Sequence, residues 1–182
     1  MIATFSLSDL QKDALKEVGN IGAGHAATAL SQLLNTKIAL LEPRIDVMKF
    51  RDLSERLEER DRAVSALHMD VRGDAPGQIV VLFDAAQARA FVTRFLRRVI
   101  GDITIFDSIS DSTLKELGNI VAGSYLSAIV HLTGVRMLPS VPALESGPVD
   151  ATLRRLITTP AEVIVTNGQV IASTTGLVLE NQ

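Results

Sequence analysis

Two segments of this chain share an unusual helical sequence. The first, LKEVGNIGAG at residues 15–24, contains three glycines, and LKELGNIVAG at residues 114–123 repeats it at an offset of 99. Apolar residues recur at helical spacing in the first segment. Each glycine inside a helix costs roughly 0.5–1 kcal/mol relative to alanine. Because the unfavourable segment occurs twice, we infer a constraint that both copies share.

The repeat extends well beyond these ten residues. The same offset aligns five pairs of positions in the two copies: Asp13 with Ser112, Glu17 with Glu116, Asn20 with Asn119, Gly24 with Gly123, and Pro43 with Pro142. This density of matches predicts a tandem duplication within a single domain, with halves at about residues 8–105 and 106–182. We expect the two halves to be related by a pseudo-twofold axis.

The helical patterns predict two long helices that carry the repeated segment. Ser8 and Gln11 have capping-box spacing, which favours a helix start at Ser8, and the periodicity continues to about Leu34 with Asn35 as the stop. The second motif helix is expected at about residues 110–131, and two shorter helices at about 85–99 and 149–157. Residues 51–62 fit either a short helix or a loop.

The strand patterns complete an α+β fold with a largely antiparallel sheet. Strands are expected at residues 37–41 and 44–50, in a hairpin of 63–71 with 77–83, and in a second hairpin around Asn167 and Gly168. The segment around Pro139 and Pro142 is expected to be irregular, since proline interrupts regular structure.

The repeated helix has a polar stripe along one face. At 100° per residue, Asp13, Glu17, Asn20 and Gly24 fall within an arc of about 60°. The apolar residues Leu10, Ala14, Val18 and Ile21 lie on an adjacent face, which we expect to pack on the core. The stripe should then face solvent or a partner.

Composition excludes several classes of function. The chain has 182 residues, 47% hydrophobic and 4% aromatic, with no cysteine and a net charge of −3. Disulfides and thiolate chemistry are therefore absent, and few aromatic residues without a basic tract disfavour a nucleic-acid partner. No apolar run approaches the ~20 residues of a membrane span and no signal-peptide pattern is present, so a cytoplasmic protein is expected. The three histidines show no metal-ligand spacing.

The polar stripe favours hydrolysis on the surface of a partner over chemistry in a deep pocket. A glutamate can hold a cationic group, and an asparagine can donate and accept hydrogen bonds and so orient a water molecule. Glycines beside them let another molecule approach the backbone. A single Glu-x-x-Asn pattern is usually only a solvated helix face, and helical glycines usually reflect close packing. The paired occurrence favours function.

At these residues the chain resembles the CheC/CheX/FliY family of chemotaxis phosphatases, and its two motif copies match the CheC branch. The family pattern, [D/S]-x3-E-x2-N-x22-P, occurs at Asp13-Glu17-Asn20-Pro43 and again at Ser112-Glu116-Asn119-Pro142. The resemblance implies hydrolysis of the aspartyl-phosphate of a CheY-type response regulator. It implies that each glutamate pairs with a lysine of the regulator and that each asparagine positions the attacking water.

The resemblance also implies the remaining partners. Asp13, Ser112, Pro43 and Pro142 are interpreted as structural motif members, and Gly24 and Gly123 as the flat part of the docking face. Mg²⁺ is expected from the regulator, so the chain needs no cofactor or metal of its own. A CheD-type deamidase is a second expected partner, and a monomer is expected. The alternatives are a non-catalytic adaptor that binds a regulator or a deamidase, and a structural flagellar component.

Overall fold

The computed structural model describes residues 7–50, 52–53, 62–100, 107–158 and 169–179. The helices of these residues are α1 (Asp9–Leu34), α2 (Ala85–Ile100), α3 (Asp107–Thr133) and α4 (Val149–Thr158). The strands are β1 (Ile38–Leu40), β2 (Arg44–Lys49), β3 (Ala63–Gly73), β4 (Gly77–Asp84), β5 (Met137–Pro139), β6 (Ala143–Pro148), β7 (Gln169–Thr174) and β8 (Leu177–Leu179).

Local sequence explains both ends of α1. The backbone N–H of Ser8 donates to Gln11 Oε1 at 2.9 Å, and the N–H of Gln11 donates to Ser8 Oγ at 3.3 Å. This reciprocal pair is the predicted capping box, which satisfies two of the free N–H groups at the start of the helix. Asn35 ends the helix in the left-handed conformation with φ 44°, which asparagine tolerates better than most residues.

All pairings between the described strands are antiparallel, which confirms the predicted α+β class. The long strand β3 lies at the centre of a four-stranded sheet: β4 pairs with one edge, while β5 and β6 pair in succession along the other. Two smaller ribbons consist of β1 with β8 and of β2 with β7. The structure therefore offers one broad sheet and two narrow ribbons as supports for the helices.

The segment around Pro139 and Pro142 forms two short strands, β5 and β6, separated by residues 140–142, so the prediction of a wholly irregular segment was wrong. Pro139 is the last residue of β5, and Ser140 then donates its backbone N–H to the carbonyl of Asp70 at 2.8 Å. Proline fits here because Pro139 ends a short strand and Pro142 directly precedes the next one, so neither lies in a strand interior. The turn at 167–168 and most of 51–62 lie outside the described residues, and β8 was not predicted.

The core lies on both faces of β3. Residues Val64–Leu67 are all buried. On one face, residues of α1, α2 and α3 form the main cluster, which includes Leu30, Leu96 and Leu117. On the other face, Val64 packs with Val149 and Leu153 of α4. The motif helices thus lie on one side of the sheet and α4 on the other.

The order of elements repeats at the offset seen in the sequence. Adding 99 to the bounds of β1 and β2 gives the bounds of β5 and β6, and the end of α1 at Leu34 maps onto the end of α3 at Thr133. The duplication and its pseudo-twofold axis stay a prediction, because coincident bounds describe order along the chain and not the rotation between halves.

Candidate functional site

The two motif helices, α1 and α3, pack against each other. Gly22 of α1 allows this contact: a Cβ at Gly22 would lie 2.9 Å from Cγ and 3.0 Å from Cα of Tyr125 in α3. The Tyr125 hydroxyl reaches onward to Ser173 Oγ in β7, 3.3 Å away. Sequence analysis did not identify this contact, although the contrast between Gly22 and its counterpart Val121 could have indicated it.

The predicted core face of α1 was wrong. Leu10 is 80% exposed and Ala14 is exposed, while Val18 and Ile21 are only half-buried. The buried face instead consists mainly of small residues followed by leucines: Gly19, Gly22, Ala23, Ala26, Leu30 and Leu34. Of the two buried glycines, Gly22 lies against Tyr125 of α3 and Gly19 against Ile45 of β2. This buried face lies roughly 120° around the helix from the polar stripe.

The four polar residues of the two motifs all face solvent. Glu17 and Asn20 of α1 and Glu116 and Asn119 of α3 are exposed. Within the described part of the chain, none of their side chains makes a hydrogen bond or an ion pair. These side chains therefore contribute little to the fold, and both motifs present a carboxylate and a carboxamide that are available to a partner.

The first motif residues also carry an exposed ion pair. Asp13 Oδ1 lies 3.6 Å from Lys16 Nζ, and the two side chains are largely exposed. In the second motif Ser112 occupies the equivalent position and is likewise exposed. Exposed pairs of this kind contribute about 0–1 kcal/mol to stability, so the stripe is not explained by a need for stabilising charges.

The helical glycines divide into two groups. A Cβ at Gly19 would lie 2.9 Å from Ile45 Cδ1, and one at Gly118 would lie 2.9 Å from Leu67 Cδ1, so close packing requires glycine there, as it does at Gly22. Among the described residues, a Cβ at Gly24 or Gly123 would meet no neighbouring atom within 4 Å. Packing within this part of the chain therefore does not explain the two glycines of the stripe.

The motif prolines lie beside the motif helices. Pro43 is buried, and its Cγ would be 3.1 Å from a Cβ at Gly19, the residue next to Asn20. Pro142 is half-buried between β5 and β6, and both of these strands contact α3. Each proline therefore belongs to the connection that holds a strand under its motif helix.

The perturbed carboxyl groups lie in the scaffold and not in the motifs. Hydrogen bonds from the Arg136 side chain and backbone lower the pKa of Asp74 in the turn between β3 and β4. Hydrogen bonding by the backbone N–H of Gln87 lowers the pKa of Asp84, with a further contribution from Arg62. Asp84 caps the start of α2, because its Oδ1 accepts from the N–H groups of Ala86 and Gln87, each at 3.0 Å.

The described residues contain no group of three or more histidine, aspartate or glutamate side chains that could hold a metal ion. No helix among them is long and apolar enough to cross a membrane. The candidate site is the exposed face of the motif helices, because it carries the four exposed glutamate and asparagine side chains of the motifs.

The model of the CheC-like family matches residues 10–41 and 109–146, which contain the first motif except Pro43 and all of the second. The CheY-P phosphatase CheC of Bacillus subtilis (strain 168) is 39% identical over 138 residues, which is 75% of this chain and 66% of that protein. This chain belongs to the CheC-like family.

Two further proteins are similar to this chain. The flagellar motor switch phosphatase FliY of the same organism is 42% identical over 53 residues, or 29% of this chain and 14% of that protein. The crystal structure of Thermotoga maritima FliY superposes with a TM-score of 0.75 at 21% identity, covering 98% of this chain and 87% of that one. The latter similarity shows a shared fold.

Proposed function

We propose that this chain is a chemotaxis phosphatase that hydrolyses the aspartyl-phosphate of a CheY-type response regulator in the cytoplasm. The observation that supports this most strongly is the exposure of two Glu-x-x-Asn pairs, neither with a partner in the described chain, in a protein 39% identical to CheC of B. subtilis. The relative's name supplies the substrate class. The exposed stripe supplies a surface suited to a macromolecular substrate.

In the proposed reaction the regulator docks on the face of a motif helix. Glu17 or Glu116 accepts hydrogen bonds from a lysine ammonium of the regulator, which fixes the orientation of the two proteins. The open space at Gly24 or Gly123 leaves room for the regulator's backbone next to the helix. The stripe therefore acts first as a positioning surface.

Asn20 or Asn119 then orients the attacking water. The amide oxygen accepts a hydrogen bond from the water, whose oxygen attacks phosphorus in line with the bond to the aspartate oxygen. That phosphorus–oxygen bond breaks, the aspartate leaves as a carboxylate, and both protons of the water remain with inorganic phosphate. Such catalysis relies on positioning and electrostatic stabilisation. We propose that Mg²⁺ is supplied by the regulator.

The test measures loss of phosphate from a CheY-type regulator labelled from acetyl phosphate or a kinase, in Mg²⁺, with and without this protein. The double variant Asn20→Ala/Asn119→Ala should lose about 100-fold or more of the acceleration. Matched controls are Gln32→Ala and His131→Ala, since both residues are exposed on the motif helices outside the stripes. Unchanged turnover in the asparagine double variant would sink the mechanism.

Binding without acceleration would instead support the non-catalytic adaptor.

Two further proposals concern assembly. The chain is a monomer, because two motif helices already lie in one chain, and a CheD-type deamidase is a second partner. Light scattering and a binding titration with such a deamidase test these proposals separately.

A further inference from the structure

The residues just before the motif prolines differ sharply between the two copies. The offset of 99 aligns Glu42 with Val141. Glu42 is exposed, and within the described residues its side chain makes no hydrogen bond or ion pair. Val141 is 86% exposed, more than any other large hydrophobic side chain in the described part of the chain. One copy therefore presents a carboxylate where the other presents an apolar side chain.

Glu42 lies close enough to Asn20 to contact the same partner. Pro43 packs at Gly19, and Cα atoms of consecutive residues are about 3.8 Å apart. The Cα atoms of Glu42 and Asn20 are then separated by at most about 15 Å. A standard protein interface covers about 800 Å² on each partner, a disc with a radius of about 16 Å. Glu42 is therefore within the radius of an interface centred on Asn20.

Val141 has the corresponding position at the second motif. It lies between β5 and β6, and α3, which carries Asn119, contacts both strands. Leu138 of β5, three residues earlier, is 69% exposed. The segment before Pro142 therefore contains two exposed apolar side chains, Leu138 and Val141, whereas the segment before Pro43 contains one, Leu41, which is 55% exposed.

The charges differ in the same sense at four aligned pairs of positions, 13/112, 16/115, 17/116 and 42/141. In the first copy these positions hold the carboxylates of Asp13, Glu17 and Glu42 and the ammonium of Lys16. Nearby Arg44 is paired with Asp46 at 3.4 Å. The second copy has one carboxylate, Glu116, and one ammonium, Lys115. The other two positions, Ser112 and Val141, are neutral. Leu10, about 15 Å along α1 from Asn20, lies at the margin of the first surface and does not alter this difference in charge.

We propose that Glu42 and Val141 are specificity-determining residues that give the two motif surfaces different preferences among response regulators. This inference rests on the proposed function. The first surface prefers a regulator whose phosphorylation site has a basic rim, through attraction that salt screens. The second prefers a regulator with an apolar rim, through contacts that salt does not weaken.

The test isolates each surface by reversing the charge of the other motif glutamate. Glu116→Lys disables the second surface, so that only binding to the first is measured. Glu17→Lys disables the first surface, so that only binding to the second is measured. Binding of a regulator carrying beryllofluoride, a stable stand-in for the aspartyl-phosphate, is measured at about 0.1 M and 1 M salt, between which the Debye length falls from about 10 to 3 Å. Dephosphorylation is measured under the same conditions.

We expect binding to the first surface to weaken about fivefold or more over this range and binding to the second to change less than about twofold. Glu42→Val should remove much of the salt dependence of the first surface, and Val141→Glu should create it at the second. Leu132→Glu is the matched control, because Leu132 is 46% exposed on α3 but about 20 Å along the helix from Asn119.

The outcomes separate this inference from the proposed function. The inference would be overturned if binding to the two surfaces had equal salt dependence. It would also be overturned if Glu42→Val and Val141→Glu changed the salt dependence no more than Leu132→Glu does, even with fast dephosphorylation. Salt dependence that follows residues 42 and 141, without any dephosphorylation, would support the inference and overturn the phosphatase.

Discussion

The two motif helices carry the same polar stripe but rest on different supports. Gly19 of α1 packs on Ile45 and Pro43, next to the narrow ribbon of β2 and β7. Gly118 of α3 packs on Leu67 of β3, in the middle of the four-stranded sheet. Because packing differs while the exposed residues agree, the stripe is the feature that the two copies have in common. Its exposure points to an external partner.

One pair of residues summarises the difference in support. The offset of 99 aligns Ile45 of β2 with Leu144 of β6. Across the strands, Ile45 lies opposite Ser173 and Leu144 lies opposite Leu67. A fully buried leucine therefore corresponds to an exposed serine. The Tyr125 hydroxyl lies 3.3 Å from that serine, so a side chain of the second motif helix contacts the ribbon of the first.

The largest expected effect comes from truncating the support of the second helix. Leu67→Ala removes a side chain with 0% exposure, so we expect a loss of about 2–5 kcal/mol in the free energy of unfolding. Ile45→Ala removes the half-buried side chain that packs on Gly19, and it should cost less because this side chain is already partly exposed. Urea unfolding of both variants measures this contrast. Equal losses would contradict the difference in support.

The next effect concerns the contact between the helices. Gly22→Ala places a methyl group 2.9–3.0 Å from Tyr125, including its backbone Cα. Since backbone cannot move aside cheaply, we expect destabilisation of about 1–3 kcal/mol. Adding Tyr125→Ala to Gly22→Ala relieves only the contact with the ring. A double-mutant cycle by thermal unfolding should therefore show partial coupling, and additive effects would argue against the contact.

The glycines of the stripe should respond in the opposite direction. Gly24→Ala and Gly123→Ala meet no atom within 4 Å, so each should stabilise its helix by about 0.5–1 kcal/mol. Under the proposed function, the added methyl groups obstruct the docked regulator and slow dephosphorylation. Unfolding and dephosphorylation are measured on the same preparations. Faster or unchanged dephosphorylation would show that these positions lie outside the docking face.

The smallest effect is a pH dependence in the broad sheet. Asp84, at the end of β4, has a pKa below its usual value of 3.8 when folded. A lowered pKa means that its contribution to stability is present above about pH 3.8 and is lost as the pH falls through the folded value. Asp84→Asn should flatten the stability curve below pH 4 only slightly, since this group is near the surface. A steeper curve in the variant would contradict this.

Several features could be predicted from the sequence because they depend on neighbours along the chain. The capping box at Ser8 and the helix stop at Asn35 follow from local hydrogen bonding and backbone preference. The exposure of the stripe was also predicted, although the apolar face from which it was inferred was wrong. The hairpin of β3 and β4 was likewise visible as two apolar runs around a short polar turn. The spacing of the motif residues identified the candidate site before any contact was known.

The sequence by itself determined which residues share the stripe, where α1 begins and ends, and that the motif occurs twice. Only the tertiary structure decided that β5 and β6 form along β3, that small residues and not Leu10 face the core, and that Gly22 packs while Gly24 does not. These features depend on contacts between residues far apart in the chain. Strand pairing and helix crossing are set by the partner surface, which the periodicity of one segment does not specify.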